Sequence, residues 1–360
     1  MTKNFAHKKT KQDTCFSLMI KNSKDHSCSR LIIADENLRK SDFEHLPSGK
    51  IVLITNRFDI YEQAKVIGLD VFFNDFDFSV FPNNTFLQVL FRVSKEKALT
   101  HHIIKSTYRV LFSNGELVLG GSKGDGIKTY AEKASEYFGT PVKTKKNGSV
   151  YVAVATRSNL TRDVASRKEI DDQNYSALRE CVPFQNDNLV SKPGLFGWGK
   201  IDEGSKFLSD YIPDFLTLFD SEPKDILDLG CGYGYLSIRA SQLTGASIVA
   251  TDNNAAAILA CSKNFIRLNI NGAVIADDCG KNIKRLFDAV ICNPPFHKGF
   301  GADAELTQKF VLSSFNHLKK GGMALLVVNS FIPLEKYTEK KLHTKLIAKN
   351  KSFKLILLQK

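Results

Sequence analysis

Residues 225–252 constrain the fold more tightly than any other stretch of the chain. Asp225-Ile226-Leu227-Asp228-Leu229 is a short apolar run of the kind that forms a buried parallel strand. Gly230-Cys231-Gly232-Tyr233-Gly234 follows it, and then an amphipathic stretch over 235–243. Strand, glycine-rich turn and helix let the backbone approach a ligand closely at a helix N-terminus. A second apolar strand over 247–251 ends on Asp252, roughly 20 residues past the turn, the usual reach of an acid that grips ribose hydroxyls. This order predicts an α/β domain with a parallel sheet. Dinucleotide-binding turns carry G-x-G-x-x-G, whose third glycine lets helix and strand pack closely. Here the spacing is G-x-G-x-G after Asp228, which leaves no cradle for a pyrophosphate.

A second motif lies downstream. Cys292-Asn293-Pro294-Pro295-Phe296-His297 closes the apolar run 287–292. An Asn-Pro-Pro-aromatic tetrapeptide at a strand end builds a slot for a planar –NH₂ group. The Asn carbonyl and a backbone carbonyl beside the prolines accept its two N–H bonds, and the aromatic ring of Phe296 lies against the ring that carries the amine. Such a slot turns the nitrogen lone pair towards an electrophile. Asp228-Leu229-Gly230-Cys231-Gly232 resembles motif I of the class I S-adenosylmethionine (SAM) methyltransferases, which names that electrophile as a sulfonium methyl group. The two motifs together predict methyl transfer to an exocyclic amine.

Open α/β sheets bind ligands outside the carboxyl ends of their strands. Four such ends carry suitable residues: Gly230, Gly232 and Gly234; Asp252; Asp277-Asp278 after 273–276; and Asn293. The plainer account of Asp252 is an N-cap for the helix beginning at Ala255, but its place in the pattern favours ribose. Of Asp277 and Asp278, Asp278 is assigned to the adenine amine. Asp228 is expected to orient the turn or reach the cofactor's amino group. His297 is read as a substrate or loop contact, because methylating an sp² amine needs little base catalysis. Cys231 is read as a small residue filling a tight corner.

The chain has 360 residues, 43% of them hydrophobic, enough for two cores. Its first half ends as its second does: Leu111-Phe112-Ser113-Asn114-Gly115-Glu116-Leu117-Val118-Leu119 sits against Leu318-Lys319-Lys320-Gly321-Gly322-Met323-Ala324-Leu325-Leu326. This predicts an internal duplication of one α/β unit. Residues 31–34 run into Asp35-Glu36-Asn37 with no glycine turn, and Phe91-Arg92-Val93-Ser94 lacks slot residues. Gly120–Gly126 is read as a loop, helices are expected near 98–111, 127–138, 171–179, 305–318 and 335–342, and the closing strand at 353–358. The expected architecture is two tandem Rossmann-like class I methyltransferase domains, the first degenerate: residues 1–175 without a cofactor site, a linker over 176–195, and a catalytic domain over 196–360.

The net charge of +12 suits a polyanionic partner. Lysines gather at the N-terminus, at Lys143-Thr144-Lys145-Lys146, read as a basic turn, and over 336–360. Seven cysteines occur without a C-x-x-C pair, there is no signal-peptide core, and no apolar run approaches a membrane span. The expectation is a cytoplasmic protein with reduced thiols, no metal and no membrane association.

Pro193-Gly194-Leu195-Phe196, Ile201-Asp202-Glu203-Gly204-Ser205, the Asn293–His297 motif and Asn329-Ser330-Phe331-Ile332-Pro333 together resemble a family of small-subunit ribosomal RNA methyltransferases, with Phe196-Gly197-Trp198 as a departure. The resemblance implies a SAM-dependent enzyme forming N2-methylguanosine in 16S rRNA, with the 30S subunit as partner; a monomer is expected. It implies that the first domain helps the second to fold and holds RNA. It further implies that Asn293, Pro294, Pro295 and Phe296 hold the guanine, and that Gly230, Gly232, Gly234 and Asp252 hold the cofactor. A sister enzyme acting on the large subunit and a protein glutamine N5-methyltransferase are the nearest alternatives. A non-catalytic RNA-binding factor would show decay of the glycine turn, which is intact.

Overall fold

The structure, a computed structural model, describes residues 13–21, 28–43, 46, 49–158, 169–295, 297–298, 301–302, 304–332 and 343–360. The chain divides into two compact units, Met1–Ser176 and Ala177–Lys360.

In the first unit a helix α1 (Thr14–Lys21) precedes the strands β1 (Arg30–Ala34), β2 (Ile51–Thr55), β3 (Asp70–Phe73), β4 (Phe86–Arg92), β5 (Leu111–Ser122), β6 (Lys143–Asn147) and β7 (Val150–Thr156), with helices α2 (Phe58–Val66), α3 (Lys97–Val110) and α4 (Ile127–Phe138) between them. They form one sheet in the order β3-β2-β1-β4-β5-β7-β6. β7 runs antiparallel to β5 and β6, and the other pairs are parallel. Both faces are apolar, as strands covered on two sides require. Leu31 and Ile33 of β1 face one cluster, and Ile32 and Ala34 the other.

The carboxyl edge of this sheet is filled by the protein itself. Asp35 replaces the glycine turn and accepts bonds from the Asn37 backbone and side chain. Arg92, at the end of β4, reaches Asp13 at 3.0 Å and Asp125 at 3.6 Å. Gly120 and Gly121 are strand residues of β5 rather than a loop, with Gly120 against Cys15 and Met19 of α1. The run Lys143–Lys146 is likewise an edge strand, exposed along its length, and not a turn; lysines on such an edge discourage pairing with another chain.

The second unit opens with a hairpin, β8 (Arg179–Phe184) and β9 (Asp187–Ser191), followed by α5 (Glu203–Asp210) and α6 (Ile212–Leu216). No helix covers 171–179: residues 173–176 form a turn, and the hairpin that follows buries Val182 and Phe184 at alternate positions of β8 and Leu189 and Val190 in succession on β9, with Gln185 taking the turn at φ 53°. Then come β10 (Asp225–Leu229), α7 (Tyr235–Leu243), β11 (Ser247–Asp252), α8 (Ala255–Arg267), β12 (Gly272–Ala276), β13 (Phe287–Cys292), a ribbon of β14 (His297–Lys298) and β15 (Gly301–Ala302), α9 (Ala304–Asn316), β16 (Leu318–Asn329), β17 (His343–Lys349) and β18 (Phe353–Gln359). The helix expected over 335–342 falls outside the described residues.

The sheet order β12-β11-β10-β13-β16-β18-β17 repeats that of the first unit, with β18 antiparallel. Even the irregularity repeats. β5 pairs Phe86 with Leu111 and resumes at Gln88 with Glu116, while β16 pairs Phe287 with Leu318 and resumes at Ala289 with Met323. Two apolar layers sandwich the sheet, with Met323, Leu325 and Val327 on one side and Ala324, Leu326 and Val328 on the other. The hairpin is tied to α8 by the buried Asn264, which accepts from Val190 N–H and donates to Val190 and Tyr233 carbonyls.

Candidate functional site

β10 pairs in parallel with β11 on one side and β13 on the other, which brings the ends of three strands to one rim. Gly230 and Cys231 N–H groups donate to the Thr251 carbonyl, and Asp277 N–H donates to the Asp252 carbonyl. The glycine turn, Asp252, Asp277 and Asn293 therefore share this edge.

The turn has the shape its glycines allow. Gly230, Gly232 and Gly234 have φ of 84°, 55° and 94°. At Gly234 glycine is required twice, because a Cβ would also stand 2.8 Å from Cys261 Sγ. A Cβ at Gly232 would meet nothing, so open space lies over the turn. Cys231 is buried, and the neighbouring Cys261 thiol together with burial pushes its pKa well up. It is a packed thiol and not a thiolate nucleophile.

Asp228 is fully buried. Its Oδ2 accepts from Ser237 N–H at 3.0 Å and Ser237 O–H at 2.6 Å, whereas Oδ1 has no partner. Burial pushes its carboxyl from 3.8 up to about 7, against the lowering by the Ser237 bonds, and the charge of Asp252 adds to the rise. An orphaned buried acceptor beside an open glycine turn fits a cationic ligand.

Asp252 is not the cap of α8; Asn254 is, accepting from Ala256 N–H. Asp252 instead accepts from Gly232 N–H and Asn254 N–H, both at 2.9 Å, and stays partly exposed. The two acids after β12 differ. Asp277 is buried and accepts from Asn282 N–H, while Asp278 pairs with Lys309 at 2.5 Å on the more open side.

Asn293 leaves the end of β13, with Pro294 buried and Pro295 exposed. Phe296 lies outside the described residues. The Asn293 Nδ2 donates to Asp202 Oδ2 and to Ser205 Oγ, both at 2.8 Å. Asp202 is the N-cap of α5 and also accepts from Ser205 N–H. The preceding loop is anchored as well: Tyr233 O–H donates to the Lys200 carbonyl, and Trp198 packs into the core under Arg179, leaving Phe196 exposed. Residue spacing gave no sign of the Asp202–Asn293 or Ser237–Asp228 contacts; a motif without an assigned role, Asp202-Glu203-Gly204-Ser205, was the only trace.

All seven cysteines are free. Among the described residues no group of three His, Cys, Asp or Glu side chains is arranged to hold a metal, and no helix is long and apolar enough to cross a membrane.

The methyltransferase small domain family matches residues 186–357, within the second unit. The ribosomal RNA small subunit methyltransferase C of Marinomonas sp. (strain MWYL1) is 27% identical over 240 residues, 66% of this chain and 67% of that protein. The protein of the same name from Shewanella piezotolerans is 25% identical over 323 residues, 88% of this chain and 90% of its own. The structure of the T. thermophilus 16S rRNA N2 G1207 methyltransferase (RsmC), in complex with AdoMet and guanosine, matches with a TM-score of 0.78 over 97% of this chain and 92% of that one. At 20% identity that likeness shows the fold, two tandem methyltransferase-like units included. With one glycine turn, one Asn-Pro-Pro strand end and a methyltransferase small domain match in its second unit, the chain is similar along most of its length to ribosomal RNA small subunit methyltransferase C proteins.

Proposed function

We propose that this protein is a SAM-dependent methyltransferase that methylates the exocyclic N2 of a guanine in 16S rRNA, the position being the 1207 named for the T. thermophilus relative. One observation carries the reading: the parallel register of β10 with β11 and β13 sets a glycine turn, and a buried acid with one unpartnered oxygen, beside an Asn-Pro-Pro strand end. Bound over the turn, SAM supplies an electrophilic methyl group on a sulfonium.

The rest is done by the chain. Asp228 Oδ1 receives the cofactor's ammonium group, Asp252 its ribose hydroxyls and Asp278 its adenine amine, with the glycine turn leaving room for close backbone approach. Asn293 Oδ1 and the Pro294 carbonyl accept the two N–H bonds of the guanine amine, and Pro295 and Phe296 bound the base. As nitrogen gives up its lone pair it becomes positive, so both N–H groups become stronger donors and the two carbonyls bind the transition state better than the substrate. Holding amine and methyl in line supplies most of the acceleration, and the proton leaves to water. No base is needed at the slot.

The first unit, whose sheet edge is closed by Asp35 and the Arg92–Asp13–Asp125 pairs, has the role of steadying the protein and holding RNA. The enzyme works in the cytoplasm, as a monomer, on the 30S subunit. Incubation with labelled SAM and purified 30S subunits, 50S subunits or release factor tests this. Label should enter 30S RNA; label confined to 50S subunits or to release factor would overturn the proposal.

A further inference from the structure

We infer that Asp202 and Ser205 are positioning residues for methyl transfer, holding the Asn293 amide so that its oxygen alone faces the substrate. The inference rests on Asn293 receiving the amine, as proposed above.

A carboxamide has two ends of nearly equal shape, and an unrestrained one presents either its oxygen or its nitrogen. A slot that must accept N–H bonds from an amine works only with oxygen outward. Here the carboxylate on the inner side settles the matter, with a serine hydroxyl beside it that can serve either end. Asp202 Oδ2 and Ser205 Oγ each stand 2.8 Å from Asn293 Nδ2. Turning the amide over would set its oxygen against a carboxylate oxygen, two acceptors with no proton between them. It would also give up a charge-assisted hydrogen bond. The inner end is thereby reserved for nitrogen.

The carboxylate is itself fixed. Asp202 caps α5, accepting from Ser205 N–H at 2.8 Å while its own carbonyl accepts from Lys206 N–H at 2.8 Å. Gly204 allows the close approach, since a Cβ there would stand 3.1 Å from Asp202 Oδ2 and 3.1 Å from the Phe353 ring. A capping aspartate, a glycine and a serine in one turn thus form a clamp whose object lies 91 residues further along the chain.

The clamp has an electronic consequence. A negative charge behind Nδ2 draws its protons inward and enriches Oδ1, which faces a nitrogen becoming positive as it reacts. The gain is therefore larger in the transition state than in the bound substrate. It also sets selectivity, because a nucleobase offering a carbonyl in place of an amine would meet two acceptors.

Four single variants of the full-length enzyme, assayed on 30S subunits with SAM, test the inference. Asp202→Ser keeps an N-cap for α5 but is too short to reach Asn293; kcat should fall ~30- to 100-fold, the scale of one lost charge-assisted bond. The cofactor Kd, the KM for subunits and the melting temperature should stay within about threefold or a few degrees of wild type. Asp202→Asn keeps an acceptor without the charge and should recover most of that loss. Ser205→Ala should cost less than Asp202→Ser, and Asp202→Ala, which also removes the cap, should add a lower melting temperature to the same kcat defect. A kcat for Asp202→Ser within about threefold of wild type, or a loss confined to cofactor affinity, would overturn the assignment. Wild-type enzyme inactive on every guanine acceptor would instead sink the proposed reaction.

Discussion

Replacing Asp228 by Asn should make the free protein more stable and the enzyme worse, and pH should separate the two effects. Asp228 is fully buried, with one oxygen held by Ser237 and the other without a partner. Its carboxyl rises from 3.8 to about 7 on folding. The native state therefore binds this proton more tightly than the unfolded chain does. Its contribution to stability is fully present below about 4, shrinks as pH rises towards about 7, and is gone above that. The span from 3.8 to about 7 corresponds to at most ~4 kcal/mol, and relaxation around the charge should leave ~1–3 kcal/mol. An asparagine keeps an acceptor for Ser237 and carries no charge. Its melting temperature should match wild type near pH 4.5 and exceed it near pH 8 by several degrees. Cofactor binding runs the other way. A cationic ligand needs ionised Asp228, so wild-type affinity should fall up to tenfold per pH unit below about 7, while the variant binds weakly at every pH. Thermal melting from pH 4 to 8.5 and calorimetric titration with SAM from pH 5 to 8.5 measure both. A variant less stable than wild type at pH 8, together with wild-type cofactor affinity that ignores pH, would refute the reasoning.

Asn293→Ala should reduce transfer by three orders of magnitude or more while cofactor affinity stays near normal, measured by single-turnover labelling beside calorimetry. Gly234→Ala should cost ~2–3 kcal/mol in urea unfolding from the left-handed backbone and the contact with Cys261. Adding Cys261→Ala should relieve the steric part and leave the backbone part. Asn264→Leu leaves three buried bonds between hairpin, glycine turn and α8 unmade, and should cost ~3 kcal/mol. Hydrogen exchange should then show the Val190 amide exposed before the sheet opens.

The frame of both units was legible because strands covered on two faces read as apolar runs. Residues 226–229, 287–292 and 323–328 carry nothing polar inside them except Asp228 and Asp288, and Asp228 lies at the candidate site. The hairpin over 179–191 was missed for the opposite reason. Arg179-Glu180-Cys181-Val182-Pro183-Phe184 buries only its alternate residues, and its anchor is Asn264, 74 residues away from Val190. In the edge strand β6, Lys143–Lys146 read as a basic turn, although lysines also serve to guard a sheet edge. At the candidate site the glycines, Asp252 and Asn293 are singled out by their spacing along single strands, and the structure brings them to one sheet edge. The Asp202–Asn293 and Ser237–Asp228 contacts were not legible in this way, because nothing local marks which distant side chain a fold will place beside an amide or a buried acid.

Identification of the methylated nucleoside tests the central claim most directly. 30S subunits from a strain lacking this methyltransferase, treated with the enzyme and SAM, can be digested to nucleosides and read by mass spectrometry alongside the Asn293→Ala variant. N2-methylguanosine should appear in 16S rRNA at close to one mole per mole of subunit, and only with wild-type enzyme. Methyl groups on a ring nitrogen, a ribose hydroxyl or another base, or equal product from the variant, would contradict the amine slot and the chemistry built on it.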